Sequence, residues 1–195
     1  MSSHRLLEKV DLSVVDKQAS IIEIGCVRDK VQFENSESST LYFDQLAKAR
    51  GCTFLSVDFS KDSVAYARQI VGERAFHADG VSFLKQFNGR IGILYLDNFD
   101  IVYNEKHRQS LMSRVGNSYE ENNEVITNDR SAQVHLEQMQ EALPKMTKPC
   151  YVCIDDTMIR NGGWFGKGAA VVPFLLEKGF SIVAQSEDGV LMFSK

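Results

Sequence analysis

Short apolar runs alternate along this chain with stretches whose apolar residues recur at helical spacing. Residues 20–24, 53–57, 75–77, 92–96 and 151–154 are the runs, and they read as strands. Between them, 40–50 carries Leu41, Phe43, Leu46 and Ala47 at helical spacing and is closed by Gly51. Further helices are expected over 62–71, 81–87, 132–146 and 168–178, the last ended by Gly179. Residues 180–184 and 190–194 read as two final strands, joined across Asp188-Gly189 as a hairpin. Alternation of this kind is the pattern of βαβ units. The expected fold is therefore α/β, a Rossmann-like, doubly wound and mostly parallel seven-stranded sheet with an antiparallel C-terminal strand.

Residues 100–130 interrupt the rhythm, being rich in Asn, Glu and Arg with few periodic apolar positions. Such a stretch is either a disordered excursion or an inserted lid, and a partly helical lid is the preferred reading. With no internal repeats, residues 1–195 are expected to form one domain, 100–130 being its lid or insert.

Composition narrows the function. A formal net charge of -4 argues against a nucleic-acid footprint, while leaving a small anionic or neutral substrate open. No apolar run reaches membrane-spanning length, and residues 1–17 lack a signal-type apolar stretch, so a cytoplasmic protein without membrane association is expected. Cys150 and Cys153 form a C-x-x-C, but no second ligand pair follows. On a strand, two residues three apart point to opposite faces, so reduced core thiols are the expectation for all four cysteines.

In an open parallel sheet, ligands bind outside the carboxyl ends of the strands. Here nearly every strand ends in an acidic residue. Glu23 and Gly25 close the first, Asp58 the second, Asp79 and Gly80 the third, Asp97 the fourth, and Asp155 and Asp156 the fifth. Gly25 lets the backbone turn close to a ligand ahead of a helix with free N–H groups. Asp58 suits the two hydroxyls of a ribose, or else caps the following helix. Asp79 can accept from the exocyclic amine of an adenine, or simply form an Asp-Gly turn with Gly80. Asp97, Asp155 and Asp156 would repel one another unless something positive lay between them, and an all-oxygen set suits magnesium. The alternative is that one of the adjacent pair caps a segment while the other faces solvent.

Ile21-Ile-Glu-Ile-Gly25, the helix start Ser38-Ser-Thr-Leu-Tyr42 and Leu55-Ser-Val-Asp58 resemble the opening motifs of class I methyltransferases dependent on S-adenosylmethionine (SAM). Tyr95-Leu-Asp97, His135-Leu-Glu137, Ile154-Asp-Asp156 and Ala169-Ala-Val-Val-Pro-Phe174 are similar to the macrocin-type, metal-dependent O-methyltransferases, whose metal layout the catechol-type enzymes share. The resemblance implies that Glu23 and Gly25 line the methionine part of SAM and that Ser39 or Thr40 meets its carboxylate. Asp58 would hold the ribose, with Asp79 and Gly80 near the adenine. Asp97, Asp155 and Asp156 would hold magnesium, which lowers the pKa of an acceptor hydroxyl. Asp97, Asp100 and His135 are the candidate bases, His135 being equally readable as a buried helix residue. The implied activity is O-methylation of a small hydroxylated molecule.

Two features depart from that family. Gly25 is followed by Cys26-Val-Arg-Asp-Lys30 in place of further glycines, and Arg28 and Lys30 are candidate contacts for a substrate anion or plain loop charges. Residues 161–168 are glycine-rich and read as a substrate gate with Trp164 over the site, or as a connecting loop. The departures motivate a rival reading, a non-catalytic SAM-fold module whose insert binds a protein. A nicotinamide oxidoreductase is disfavoured because G-x-G-x-x-G is absent after the first strand. Homo-oligomerisation stays open.

Overall fold

In the computed structural model, residues 2–28 and 38–195 are described. Seven strands form the main sheet: β1 (Ser20–Ile24), β2 (Phe54–Asp58), β3 (Ala75–His77), β4 (Ile91–Leu96), β5 (Met146–Asp155), β8 (Ser181–Gln185) and β9 (Gly189–Ser194). Their order is β3-β2-β1-β4-β5-β9-β8. β9 alone runs antiparallel to its neighbours, as expected for the C-terminal strand. The chain leaves β1 to one side and returns at β4 on the other, so a topological switch point lies between these strands.

Each face of the sheet buries its own apolar set. On one side Phe43 and Ala47 of α1 (Ser39–Arg50) and Val64, Ala67 and Val71 of α2 (Lys61–Val71) pack on Ile21, Ile93, Tyr151 and Cys153. On the other, Leu84 of α3 (Gly80–Gln86), Met139 of α5 (Asn128–Ala142) and Val171 and Leu175 of α6 (Gly168–Glu177) pack on Ile22, Leu94, Cys150 and Val152. Cys150 and Cys153 thus fall on opposite faces, and all four cysteines are free. Among the described residues no helix is long and apolar enough to cross a membrane.

Two segments differ from expectation, while the interrupted stretch is partly helical as read. The interrupted stretch contains a full helix, α4 (Glu105–Glu121), capped by Asn104 accepting from His107 N at 2.9 Å. Just Leu111, Gly116 and Tyr119 of α4 are buried, so its apolar period is too sparse to read in sequence. The helix expected over 132–146 begins earlier, at Asn128, where Thr127 caps it. It ends earlier too, because Pro144 cannot continue it and β5 starts at Met146. Finally, 161–168 is not a plain connecting loop. β6 (Thr157–Arg160) and β7 (Gly163–Gly166) form a hairpin across Asn161-Gly162, both at positive φ.

The N-terminal segment also contributes to the core. Ser3–Lys9 winds as a 3-10 helix and buries Leu6 and Leu7 completely.

Candidate active site

The site is built on the carboxyl ends of β1, β2, β4 and β5. Gly25 stands at the switch point with φ of +96°, and a Cβ there would lie 2.4 Å from Asn98 N. Glycine is therefore required by both conformation and contact. Glu23, fully buried just before it, accepts from Ser39 Oγ at 2.6 Å, Thr40 Oγ1 at 2.9 Å and Ser56 Oγ at 2.6 Å. Burial outweighs these hydroxyls and raises the Glu23 pKa to about 7.

Glu23 thus holds down the first turn of α1, the end at which a helix leaves its N–H groups unpaired. Ser38 Oγ, at the N-cap, is buried without a hydrogen-bond partner among the described residues. Ser38 and Ser39 line a cavity of about 440 Å³ together with Ser3, Arg28, Tyr95, Asp97, Asp155, Asp156 and Asp188. Ser39 and Thr40, expected to meet the SAM carboxylate, spend their hydroxyls on Glu23.

Asp58 is buried at the end of β2, where one oxygen accepts from Cys26 N at 3.0 Å and the other from Ser60 N at 2.8 Å. Burial raises its pKa against these bonds. Beside it the guanidinium of Arg28 pairs with Asp100, and Arg28 lines both the large cavity and a small one of about 30 Å³ next to Asp58. Phe59, Phe99 and Tyr119 close this end, with ring centroids 5.2 to 5.4 Å apart. Tyr119 Oη donates to Asp100 Oδ2 at 3.2 Å, so α4 covers the Asp58 end of the site. Asp79 lies apart: it is exposed and caps α3, accepting from Ser82 N at 2.8 Å. Gly80 is required by packing, since a Cβ would meet Ile24 Cγ2 at 2.5 Å.

One oxygen each of Asp97, Asp155 and Asp156 lies within 4.8 Å of the others, so the three carboxylates do converge. Lys167 lies among them. Its Nζ is 2.6 Å from Asp97 Oδ1, 3.0 Å from Asp156 Oδ2 and 3.9 Å from Asp155 Oδ2, and the residue is fully buried. Burial opposes the charge on Lys167, but Asp156, Asp97 and Asp155 outweigh it and raise the lysine pKa. Burial likewise opposes the Asp97 carboxylate, yet Lys167 and Arg28 bring its pKa down to about 2. Asp155 goes the other way: burial, then the Asp97 charge, raises its pKa well above the usual range. Ser3 Oγ bonds to Asp155 and lies 3.0 Å from Tyr95 Oη, which donates to Asp97 Oδ2 at 3.3 Å.

Glycines on both sides admit the lysine. Gly166 has φ of +83° and a Cβ there would lie 1.9 Å from Asp156 O; one on Gly168 would lie 2.2 Å from Thr157 Cγ2. The donor set therefore does not fit magnesium as folded. An ion bonded to these oxygens at about 2.1 Å would have to share their centre with an ammonium.

Asp100, proposed as a base, is ion-paired: burial opposes its charge, but Arg28 and Lys167 together lower its pKa. His135 lies wholly inside the core. Its Nδ1 is 2.6 Å from Ser131 O, and it lines neither cavity. Burial first, then Lys167, lowers its pKa to about 3, so it is the buried helix residue and not a base within reach of a ligand. Trp164 packs against the apolar layer beneath α6, away from both cavities. Lys30 lies outside the described residues.

No sequence-family profile matches the chain, and no curated protein matches it in sequence. Solved structures do. A Clostridium thermocellum protein assigned as an rRNA methylase superposes with a TM-score of 0.59 at 10% identity, over 99% of this chain and 95% of that one. The fold is that of the class I SAM-dependent methyltransferases. A Streptococcus mutans protein assigned as a methyltransferase, solved with S-adenosylhomocysteine (SAH), superposes with a TM-score of 0.57 at 14% identity, covering 99% and 96%. An rRNA methylase from Streptococcus thermophilus gives 0.53 at 10% identity, covering 99% and 93%. At such identities the likeness establishes the methyltransferase fold alone.

Within this methyltransferase fold, Lys167, Ser3, Ser38 and Tyr119 are the site residues that sequence reasoning missed. A signal for Lys167 did exist: three converging carboxylates demand a cation, and a lone lysine between two glycines was available to supply it.

Proposed function

We propose that this chain binds SAM at the switch point and transfers its methyl group to an oxygen of a small hydroxylated molecule. The observation that carries the reading is the 440 Å³ cavity, where the open N-terminus of α1 at Ser38 and Ser39 meets Asp97, Asp155 and Asp156. A helix N-terminus suits the methionine carboxylate of SAM, and carboxylates suit its ammonium and sulfonium. The volume is in the range of small-molecule sites.

In the proposed reaction an acceptor oxygen attacks the methyl carbon, the S–CH₃ pair returns to sulfur, and SAH leaves. Asp156, partly exposed at the cavity and paired to Lys167 through Oδ2, would take the acceptor proton on its other oxygen. Several structural neighbours are named for rRNA methylation. Asp97, Asp155, Asp156 and Asp188 outnumber Arg28 in the cavity lining, which favours a small neutral or cationic acceptor over a phosphate backbone.

A second reading rests on a different observation. The Arg28–Asp100 pair and the Phe59, Phe99 and Tyr119 rings leave about 30 Å³ beside Asp58, which favours a non-catalytic module that takes no nucleoside. Calorimetric titration with SAM and SAH decides between them. Saturable heat supports the first reading, and silence with both at millimolar concentration supports the second. Transfer of labelled methyl to small phenols and polyols, but not to RNA, tests the acceptor class.

A further inference from the structure

We propose that Lys167 is the resident cation of the acidic cluster and stands where a divalent metal would otherwise be held, so that folding itself supplies the counter-charge. An ammonium has three hydrogens to donate. Lys167 has three acceptors at hydrogen-bond distance: Asp97 Oδ1 at 2.6 Å, Asp97 O at 2.9 Å and Asp156 Oδ2 at 3.0 Å. Asp155 Oδ2, at 3.9 Å, completes the ring of charge. All four are hard oxygen donors, the type that binds magnesium or manganese.

The local backbone is built for this insertion. Lys167 N donates to Asp156 O at 3.2 Å, tying the lysine to the strand end that it neutralises. Gly166 brings the chain so close to Asp156 that no side chain fits, and Gly168 does the same against Thr157. The ammonium is delivered from the end of the β6–β7 hairpin, one residue before α6, while the carboxylates come from the ends of β4 and β5. The inference rests on this geometry and is independent of the methyl-transfer reading.

Manganese serves as the probe, by electron paramagnetic resonance, alongside thermal unfolding with magnesium or chelator. The wild-type chain is expected to leave manganese free in solution, with an unfolding midpoint indifferent to magnesium and chelator. Lys167→Ala opens the oxygen cage and is expected to bind one equivalent of manganese and to unfold at a higher temperature when either ion is added. Adding Asp156→Asn to that variant should remove the gain. Stoichiometric manganese binding by the wild type that Asp156→Asn abolishes would overturn the proposal, as would a folded Lys167→Ala that takes no ion. Should Lys167→Ala not fold in buffer, it is refolded with manganese: recovery of native circular dichroism supports the proposal, and failure overturns it.

Discussion

The Lys167 ammonium lies 2.6 Å from Asp97 Oδ1, with the lysine shielded from solvent along its whole length. Removing one partner of a buried pair leaves the other charge uncompensated, at a cost of about 3 to 5 kcal/mol. Asp97→Asn is expected to lose stability toward the lower end of that range, since Asp156 still neutralises the lysine at 3.0 Å. Urea unfolding at neutral pH measures it, and a change within error of zero would count against the pair.

Glu23 sets a second expectation through pH. Burial raises its folded pKa from 4.5 to about 7, so the folded state holds the proton more tightly than the unfolded chain. The stability linked to it is fully present below 4.5 and is lost as pH rises through about 7. The loss amounts to roughly 3 kcal/mol. Glu23→Gln should flatten the stability profile across that window, and an unaltered slope would contradict the assignment.

His135 gives the opposite sign. Its folded pKa falls from 6.5 to about 3, so the protein favours the neutral ring. The linked stability is present above 6.5 and drains away as pH falls toward 3. Acid unfolding followed by circular dichroism should begin at lower pH in His135→Asn than in the wild type. Methyl transfer, if assayed at neutral pH, should survive this change in whatever fraction remains folded, because the ring lines neither cavity.

Arg28 lines both cavities and pairs with Asp100, which places its guanidinium between the α1 N-terminus and Asp58. A ligand spanning from Ser38 to Asp58 must displace it. Arg28→Ala is therefore expected to tighten SAH binding by about tenfold, or 1.4 kcal/mol, and Asp58→Ala to weaken it. Calorimetry on the two variants reads both effects, and equal affinities across the wild type and Arg28→Ala would show that Arg28 does not obstruct the ligand.

Much of the fold was legible because its signals are short-range. Continuous apolar runs such as 20–24 and 92–96, and helical runs such as 40–50, depend on neighbours a few positions away. Asn161-Gly162 also carries a local hairpin signal, and the β6–β7 hairpin obeys it. The stretch holding helix α4 was read as partly helical, but its bounds escaped because three buried positions in 17 residues leave almost no period to detect.

The strand-end acids were legible too, since a parallel sheet puts every strand's carboxyl end on one edge. That determined where Asp58, Asp97, Asp155 and Asp156 stand, and that Asp97, Asp155 and Asp156 together needed a cation. Tertiary structure alone decided what neutralises them. Lys167 reaches Asp97 from 70 positions away, through a hairpin and two glycines whose closeness to Asp156 and Thr157 no local pattern encodes. The same holds for Glu23, whose hydroxyl partners on α1 and β2 turn an expected ligand contact into an internal brace. Periodicity fixes which way a side chain points along its own element, whereas the partner it meets depends on how distant elements pack.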